Sequence, residues 1–405
     1  MDFFIIANAW SAGKDNPTSK HRIALELVRQ GHRVLWIEGS GMRAPSVGSA
    51  HDRLRMVRKV FAAFRGAREE DTLTPALSPE GRGGNVSSSP FRGEDRGEGV
   101  SLHVLSPLFV PLPRYELIRR LNGLICRLSM RFWGWRLGFV DSVLINYVPV
   151  LAEAMRGGRV VYHCVDRWDA FSMYDSAMMG EMDKRCCQYA DLVIASSKDL
   201  VERCRRYNTN VYLVSHGVDH DHFCRALQVA RRPTDLPAGR VAGFFGLLSE
   251  WLDQDLLLEI ARRLPECEVV LIGKEDVAIE RLRNIRNLHL LGPRPFDRLP
   301  EYVAHFDVGL IPFVVNELTK AVNPIKLREM LSAGCPVVST ALPEVRGYTG
   351  DGVVVADTVE CFVEAVAERL QHPATQEVRA AISAGVANET WAAKVGEILA
   401  LITNN

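Results

Sequence analysis

The residues with the clearest chemical potential lie in one short window, Asn323–Glu329, which reads Asn-Pro-Ile-Lys-Leu-Arg-Glu. Asn323 suits the capping position of a helix and Pro324 suits the first helical position, so a helix is predicted to begin here. A helix N-terminus attracts anions, because its backbone N–H groups are free and its dipole end is positive. Lys326 and Glu329 lie three residues apart, on one face of that helix. We expect Lys326 to bind phosphate and Glu329 to bind the ribose hydroxyls of a nucleoside diphosphate.

The same residues also fit an interpretation without any ligand. A lysine and a glutamate three residues apart on a surface helix form an ordinary salt bridge, and the cap then serves only the helix. Spacing alone leaves both interpretations open.

Apolar, strand-like segments alternate with helix-like segments along the chain, which predicts parallel sheets covered by helices on both faces. The series runs once before a breaker-rich stretch and starts again after it, so we predict an α/β fold with two Rossmann-like, doubly wound domains. Residues 65–99 are rich in Gly, Pro and Ser and lack hydrophobic periodicity, which is typical of a disordered insert. The predicted divisions are an N-terminal domain at 1–223, a linker at 224–239, a C-terminal domain at 240–375, and a C-terminal helix at 376–405 that can pack back on the N-terminal domain.

The window around Lys326 resembles the donor-binding motif of the GT-B glycosyltransferases (glycosyl transferases group 1), family 4 in particular. The matching branch reads Asn-Pro-x-Lys-x-x-Glu, followed by small-Gly-x-Pro-Val-Val. The resemblance implies two Rossmann-like domains that face a cleft, a nucleotide-diphosphate sugar as donor, no cofactor, and transfer with retention of anomeric configuration. Between about residues 160 and 346, further segments match the family in the same order: Ser215–Asp219 with Phe223, Gly243–Leu247, Leu271–Lys274, Asn287–Gly292 and 299–313.

The resemblance also assigns site residues. Candidate catalytic residues are Lys326 and Glu329 together with His163 and Asp166, which follow a strand where family members often place a His or Asp beneath the donor sugar. Most members carry a second glutamate eight positions before the first, and this chain has Ala321 there, so sugar recognition must differ. We expect no metal ligand, and the donor-binding candidates are Gly13 in the loop after the first strand, Gly246, Leu247, Lys274, Asn316, Thr319, Asn323 and Pro324.

The resemblance implies a glycan or lipid-linked acceptor in cell-surface polysaccharide synthesis. Two alternatives keep the fold and change the activity: a nucleotide-sugar epimerase, and a donor-binding protein without transferase activity, since one family glutamate is absent. A Rossmann oxidoreductase is disfavoured because no Gly-x-Gly-x-x-Gly follows any strand.

Composition limits the partners and the compartment. The chain has 49 basic and 49 acidic side chains among 405 residues, so it lacks the basic excess of a general nucleic-acid binder. The N-terminus lacks the features of a secretory signal, and the nine cysteines show no Cys-x-x-Cys spacing. We therefore expect a cytoplasmic enzyme with reduced cysteines and no nucleic-acid partner.

The segment 115–139 combines apolar residues at three- and four-residue spacing with interleaved arginines. Such a basic amphipathic helix can lie on an anionic membrane, which would place the enzyme at the inner face of the membrane. The alternative is a helix that covers the sheet and exposes its basic face. The apolar residues are Leu117, Leu121, Leu124, Leu128, Phe132 and Trp135, and the arginines are Arg119, Arg120, Arg127, Arg131 and Arg136.

Overall fold

The computed structural model describes residues 1–10, 17–39, 66–70, 101–348 and 352–404. By its internal contacts the chain divides into two compact units, Met1–His163 with Ser172–Val193, and Cys164–Phe171 with Ile194–Asn405. The strands are β1 Asp2–Ala7, β2 Arg33–Glu38, β3 Arg68–Glu70, β4 Leu102–Leu105, β5 Ser142–Asn146, β6 Arg159–Cys164, β7 Leu192–Ala195, β8 Val211–Leu213, β9 Arg240–Phe245, β10 Cys267–Ile272, β11 Leu288–Leu290, β12 Val308–Ile311, β13 Val337–Thr340 and β14 Val353–Ala356.

Helices follow most of these strands, as the alternating pattern predicts. Short 3-10 turns at Pro149–Met155, Trp168–Ala170, Cys224–Gln228 and Phe296–Arg298 complete the described secondary structure. The α-helices are α1 Ser19–Arg29, α2 Glu116–Arg136, α3 Ser176–Tyr189, α4 Lys198–Arg205, α5 His220–Phe223, α6 Gln254–Arg263, α7 Glu280–Arg283, α8 Leu299–Val303, α9 Glu317–Lys320, α10 Ile325–Ser332, α11 Pro343–Arg346, α12 Val359–Gln371, α13 Gln376–Ala384 and α14 Trp391–Asn404.

The first sheet has the strand order β3-β4-β2-β1-β5-β6-β7-β8. Strand β1 lies in its middle and pairs in parallel with β2 and β5, so that Phe3 stands between Val34 and Val143. These three side chains are fully buried, as expected for the central strands of a parallel sheet that is covered on both faces.

One strand was not anticipated. Arg68–Glu70 forms β3, which pairs with the edge strand β4 in the antiparallel direction. The disorder predicted for 65–99 is therefore wrong at this short stretch, where backbone pairing needs no apolar side chains. The rest of the predicted insert lies outside the described residues.

The second sheet is parallel throughout and has the order β11-β10-β9-β12-β13-β14. Its central strand β9 carries Gly243, where an added Cβ would lie 2.2 Å from the ring of Phe306. Glycine is required there because the buried ring packs directly on the strand backbone. The prediction of an α/β fold built on two series of parallel strands is confirmed.

Helix α2 packs on the rest of its unit through a face of small and polar residues. Asn122, Gly123, Cys126, Met130 and Gly134 are buried. The apolar stripe recognised in the sequence points away from this contact and is exposed. The predicted helix at 115–139 is therefore present, and it packs on Glu153 and on Phe4 of β1 through this face and not through its leucines. Neither α2 nor any other helix in the described part of the chain is long and apolar enough to cross a membrane.

Candidate functional site

The strand order of the second sheet reverses between β9 and β12, and such a switch point is where open α/β sheets bind ligands, outside the carboxyl ends of the strands. Gly246 follows β9 directly at this edge, with a φ of 151° that favours glycine. Its N–H donates to Ile272 O at 2.8 Å. A Cβ on Gly273 would lie 1.6 Å from Gly246 O, so the ends of β9 and β10 can touch only because residue 273 is glycine.

Helix α10 begins at the same edge, but its cap differs from the prediction. Pro324 occupies the capping position and Ile325 is the first helical residue, one residue later than expected. The Asn323 side chain does not cap the helix, because its amide groups have other partners. Its Nδ2 donates to Glu344 Oε2 at 3.1 Å, and its Oδ1 accepts from Arg328 at 2.7 Å.

The structure brings Lys326, Glu329 and Gly246 together. Lys326 Nζ lies 2.5 Å from Glu329 Oε2 and 4.8 Å from the centre of the Phe245 ring. A Cβ on Gly246 would lie 3.4 Å from Lys326 Cε, so the lysine stem passes beside the glycine loop. The Lys326 and Glu329 side chains are only 25% and 10% exposed. A partly desolvated cation at a helix N-terminus, beside a glycine loop, is suited to hold phosphate oxygens.

Arg328 is a residue that sequence reasoning left without a role. Besides binding Asn323, its Nε donates to Glu389, and it is 9% exposed. Glu344 accepts from Asn323 and from the backbone N–H of Lys198 at 2.7 Å. These contacts fix the entry to α10 through partners that are distant in sequence, so no local pattern could have identified them.

Leu247 and Lys274 border the glycine loop. The N–H of Leu248 donates to Lys274 O at 2.9 Å, which ties the segment after β9 to the segment after β10. The side chains of Leu247 and Lys274 are exposed at this edge. Their predicted contact with the donor stays a prediction.

Asn316 and Thr319 build the turn before α10. The Asn316 side chain accepts from the N–H groups of Leu318 and Thr319, each at 3.0 Å, and the Thr319 hydroxyl donates to Val314 O at 2.5 Å. Thr319 is fully buried. Both side chains thus serve the capping box of α9, and only Asn316 is exposed.

His163, at the end of β6 in the first unit, is buried beside Tyr147. Its Nδ1 lies 3.0 Å from the Tyr147 hydroxyl, and its Nε2 is buried without a hydrogen-bond partner. Burial, with a smaller contribution from the charge of Lys20, lowers the pKa of His163 to about 3, so the ring is neutral at neutral pH. The ring therefore has one polar atom left to bind a ligand.

The two remaining candidates are placed as follows. Asp166 lies just after β6, is partly buried, and its carbonyl oxygen accepts from the Cys164 thiol at 3.9 Å. Gly13 lies outside the described residues. In the described ranges no cluster of three or more His, Cys, Asp or Glu side chains could hold a metal ion.

Two parallel α/β sheets, with a lysine-bearing helix N-terminus at the switch point of the second sheet, are the architecture of the GT-B fold. Residues 239–372 match the family described as glycosyl transferases group 1. The chain is 28% identical over 260 residues to TuaH, a candidate teichuronic acid biosynthesis glycosyltransferase of Bacillus subtilis (strain 168). That match covers 60% of this chain, and the chain spans about 61% of the length of this relative.

Solved structures with the same fold cover the whole chain at low identity. The sucrose-phosphate synthase of Thermosynechococcus elongatus has a TM-score of 0.67 at 13% identity, covering 100% of this chain and 98% of that one. HepE of Anabaena, in complex with UDP and glucose, has a TM-score of 0.60 at 14% identity, covering 100% and 99%. The trehalose-phosphate synthase of Burkholderia vietnamiensis has a TM-score of 0.62 at 12% identity, covering 100% and 98%. The GT-B fold is therefore shown, and the resemblance to the glycosyl transferases group 1 that was read from the sequence is confirmed over residues 239–372.

Proposed function

We propose that the protein is a retaining glycosyltransferase that moves a sugar from a nucleotide-diphosphate sugar to a glycan or lipid-linked acceptor in cell-surface polysaccharide synthesis. The observation that carries the proposal is the Lys326–Glu329 pair beside Gly246, at the N-terminus of α10. The group 1 match over 239–372 supports it, because that range contains Gly246, Lys326 and Glu329.

The donor diphosphate would lie between the glycine loop and α10. Lys326 and the N-terminus of α10, which has no side-chain cap, would stabilise the negative charge that grows on the departing diphosphate. Glu329 would accept hydrogen bonds from the ribose hydroxyls and would hold the lysine in place when the donor is absent. Since the lysine is only 25% exposed, its attraction to phosphate is screened less than at an open surface.

The nature of the donor and of the acceptor rests on the comparisons. HepE binds UDP and UDP-glucose, which supports a uridine-diphosphate sugar as the first donor to test. The name of TuaH describes teichuronic acid biosynthesis, which supports a cell-wall or surface polysaccharide as acceptor. Buried, neutral His163 is the proposed acceptor-side residue, with Nε2 as its available atom.

The test is a screen of nucleoside-diphosphate sugars with the purified protein, in which release of the nucleoside diphosphate is measured with and without glycan acceptors. We expect release that depends on Lys326 and Glu329, and a product whose anomeric proton coupling in NMR matches that of the donor. Conversion of the donor to its epimer without an acceptor would show that the protein is an epimerase and not a transferase. Nucleotide binding with neither reaction would leave a donor-binding protein.

A further inference from the structure

Helix α2 presents a stripe of exposed apolar side chains. At about 100° per residue, its six large apolar side chains fall within an arc of about 80°. Leu117 and Trp135, near the two ends of the helix, are each 77% exposed, and Phe132 is 55% exposed. Single exposed apolar residues are ordinary, but a stripe along a helix of 21 residues, about 30 Å long, indicates an interaction surface. The stripe consists of Leu117, Leu121, Leu124, Leu128, Phe132 and Trp135.

Packing on the opposite side fixes this orientation. A Cβ on Gly123 would lie 2.6 Å from Glu153 Cβ and 2.8 Å from its backbone carbonyl carbon, and one on Gly134 would lie 2.8 Å from the Phe4 ring. Only glycine lets the helix approach that closely, so no rotation could bring a leucine into this contact. Close packing of the glycine face therefore keeps the stripe on the exposed side of α2.

Positive charge flanks the stripe. Arg131 and Arg136 are exposed and form no ion pair with any described residue. Arg120 pairs with Glu116 at the helix start, and no acidic residue occurs from 117 to 140. Cations beside an apolar stripe are the arrangement of a helix that lies in the interface of an anionic membrane.

A groove of about 610 Å³ opens beside the same stripe, within the first unit. Phe4, Leu144 and Trp135 are among its apolar lining residues. Arg127, Arg131, Arg156 and Arg159 also line it, and no carboxylate is found among its described lining residues. Apolar walls with guanidinium groups fit an acyl chain and the phosphate of its headgroup.

We infer that α2 is a membrane-docking surface, which lies in the plane of an anionic phospholipid bilayer with its apolar stripe among the acyl chains and its exposed arginines at the headgroup phosphates. The commitment to a lipid surface follows from the charge. A second copy of this chain would place the same arginines against one another, with no acidic patch on this helix to neutralise them. The inference is independent of the donor site and stands whether or not the protein transfers a sugar.

The experiment is flotation of the full chain with vesicles of phosphatidylcholine alone and with vesicles that also contain phosphatidylglycerol. We expect binding to the anionic vesicles that weakens as salt is raised. Replacing two arginines by Arg131→Gln with Arg136→Gln should weaken partitioning by roughly 30-fold, at roughly fivefold for each arginine near an anionic surface. Phe132→Ser with Trp135→Ser should weaken it by at least roughly tenfold, because two large apolar side chains lose their burial.

The matched control replaces the same kinds of residue elsewhere. Met173 is 53% exposed, a fraction similar to the 55% of Phe132. Arg286 is exposed and has no ion pair among the described residues. Met173→Ser with Arg286→Gln should float as well as the wild type. All variants should keep the wild-type melting temperature and UDP affinity, because none touches the donor site or the core.

Three results would overturn the inference. One is wild-type protein that fails to float with anionic vesicles. Another is flotation that the α2 variants and the control reduce equally. The third is a wild-type dimer in light scattering that the α2 variants convert to a monomer while vesicle binding is absent, which would make this face the site of self-association. Loss of UDP binding with intact flotation would instead count against the donor site alone.

Discussion

The Lys326–Glu329 pair allows the donor-site assignment to be separated from a purely structural role. The change is Lys326→Gln, which removes the cation and keeps a side chain of similar length. A charge-assisted hydrogen bond contributes about 1.5–3 kcal/mol. Because Lys326 is 25% exposed, solvent screens part of that energy. We expect a loss of about 2 kcal/mol in nucleoside-diphosphate binding, which is about 30-fold in Kd.

The same change affects stability by a different route. It leaves the Glu329 carboxylate, 10% exposed, without its cation. An unpaired buried charge of this kind costs about 1–3 kcal/mol in the free energy of unfolding, or a few degrees in Tm. In the double variant Lys326→Gln/Glu329→Gln the stability should largely recover, because no charge is left unpaired, whereas the affinity should not recover.

The assay is isothermal titration calorimetry with UDP, ADP and GDP, beside thermal unfolding of each variant. The control is Lys394→Gln on α14, whose Nζ pairs with Glu397 at 2.8 Å with the same spacing and order. It should leave nucleotide affinity unchanged. If Lys326→Gln lowers stability but keeps wild-type affinity, the pair is a structural salt bridge and the reasoning is refuted.

Three further outcomes follow from the geometry. Gly246→Ala should weaken UDP binding by about tenfold, because its φ of 151° and the 3.4 Å approach to Lys326 Cε force the loop to shift, and unchanged titration curves would contradict this. Gly123→Ala should lower the free energy of unfolding by about 1–3 kcal/mol. The control Gly396→Ala on α14, where an added Cβ meets nothing within 4 Å, should raise it by up to about 1 kcal/mol. Denaturant titrations that rank the two variants the other way would contradict the close packing of α2 at Gly123. Burial lowers the pKa of His163 to about 3, so between pH 6.5 and 3 the unfolded chain binds a proton that the folded chain does not, and stability present above pH 6.5 is lost as the pH falls towards 3. Tm should therefore drop more steeply below pH 6.5 for the wild type than for His163→Gln. Parallel plots of Tm against pH would exclude the buried neutral ring.

Strand positions were largely determined by the sequence. Apolar runs such as Val308–Ile311 became strands of the parallel sheets. Such runs are informative because a strand in the middle of a parallel sheet must be apolar on both faces. Arg68–Glu70 shows the opposite case, since an edge strand needs only backbone pairing and leaves no hydrophobic pattern to detect.

The contact between Lys326 and Glu329 was also readable in advance, because the two residues share one helical turn. The sequence could not predict that Asn323 would bind Arg328 and Glu344 instead of capping α10, since the Glu344 partner approaches from a segment beyond the helix. Local spacing defines which residues share a face. Only the folded chain decides what each polar group meets there.

Helix α2 also shows which features local sequence determines and which depend on tertiary contacts. Its sequence determined a helix with an apolar stripe and flanking arginines, and it left open which side would be buried. Hydrophobicity alone would have turned the leucines inward. The tertiary structure decided otherwise, because Gly123 and Gly134 allow a backbone approach that no larger side chain permits, and close packing of that face leaves the stripe to the solvent side.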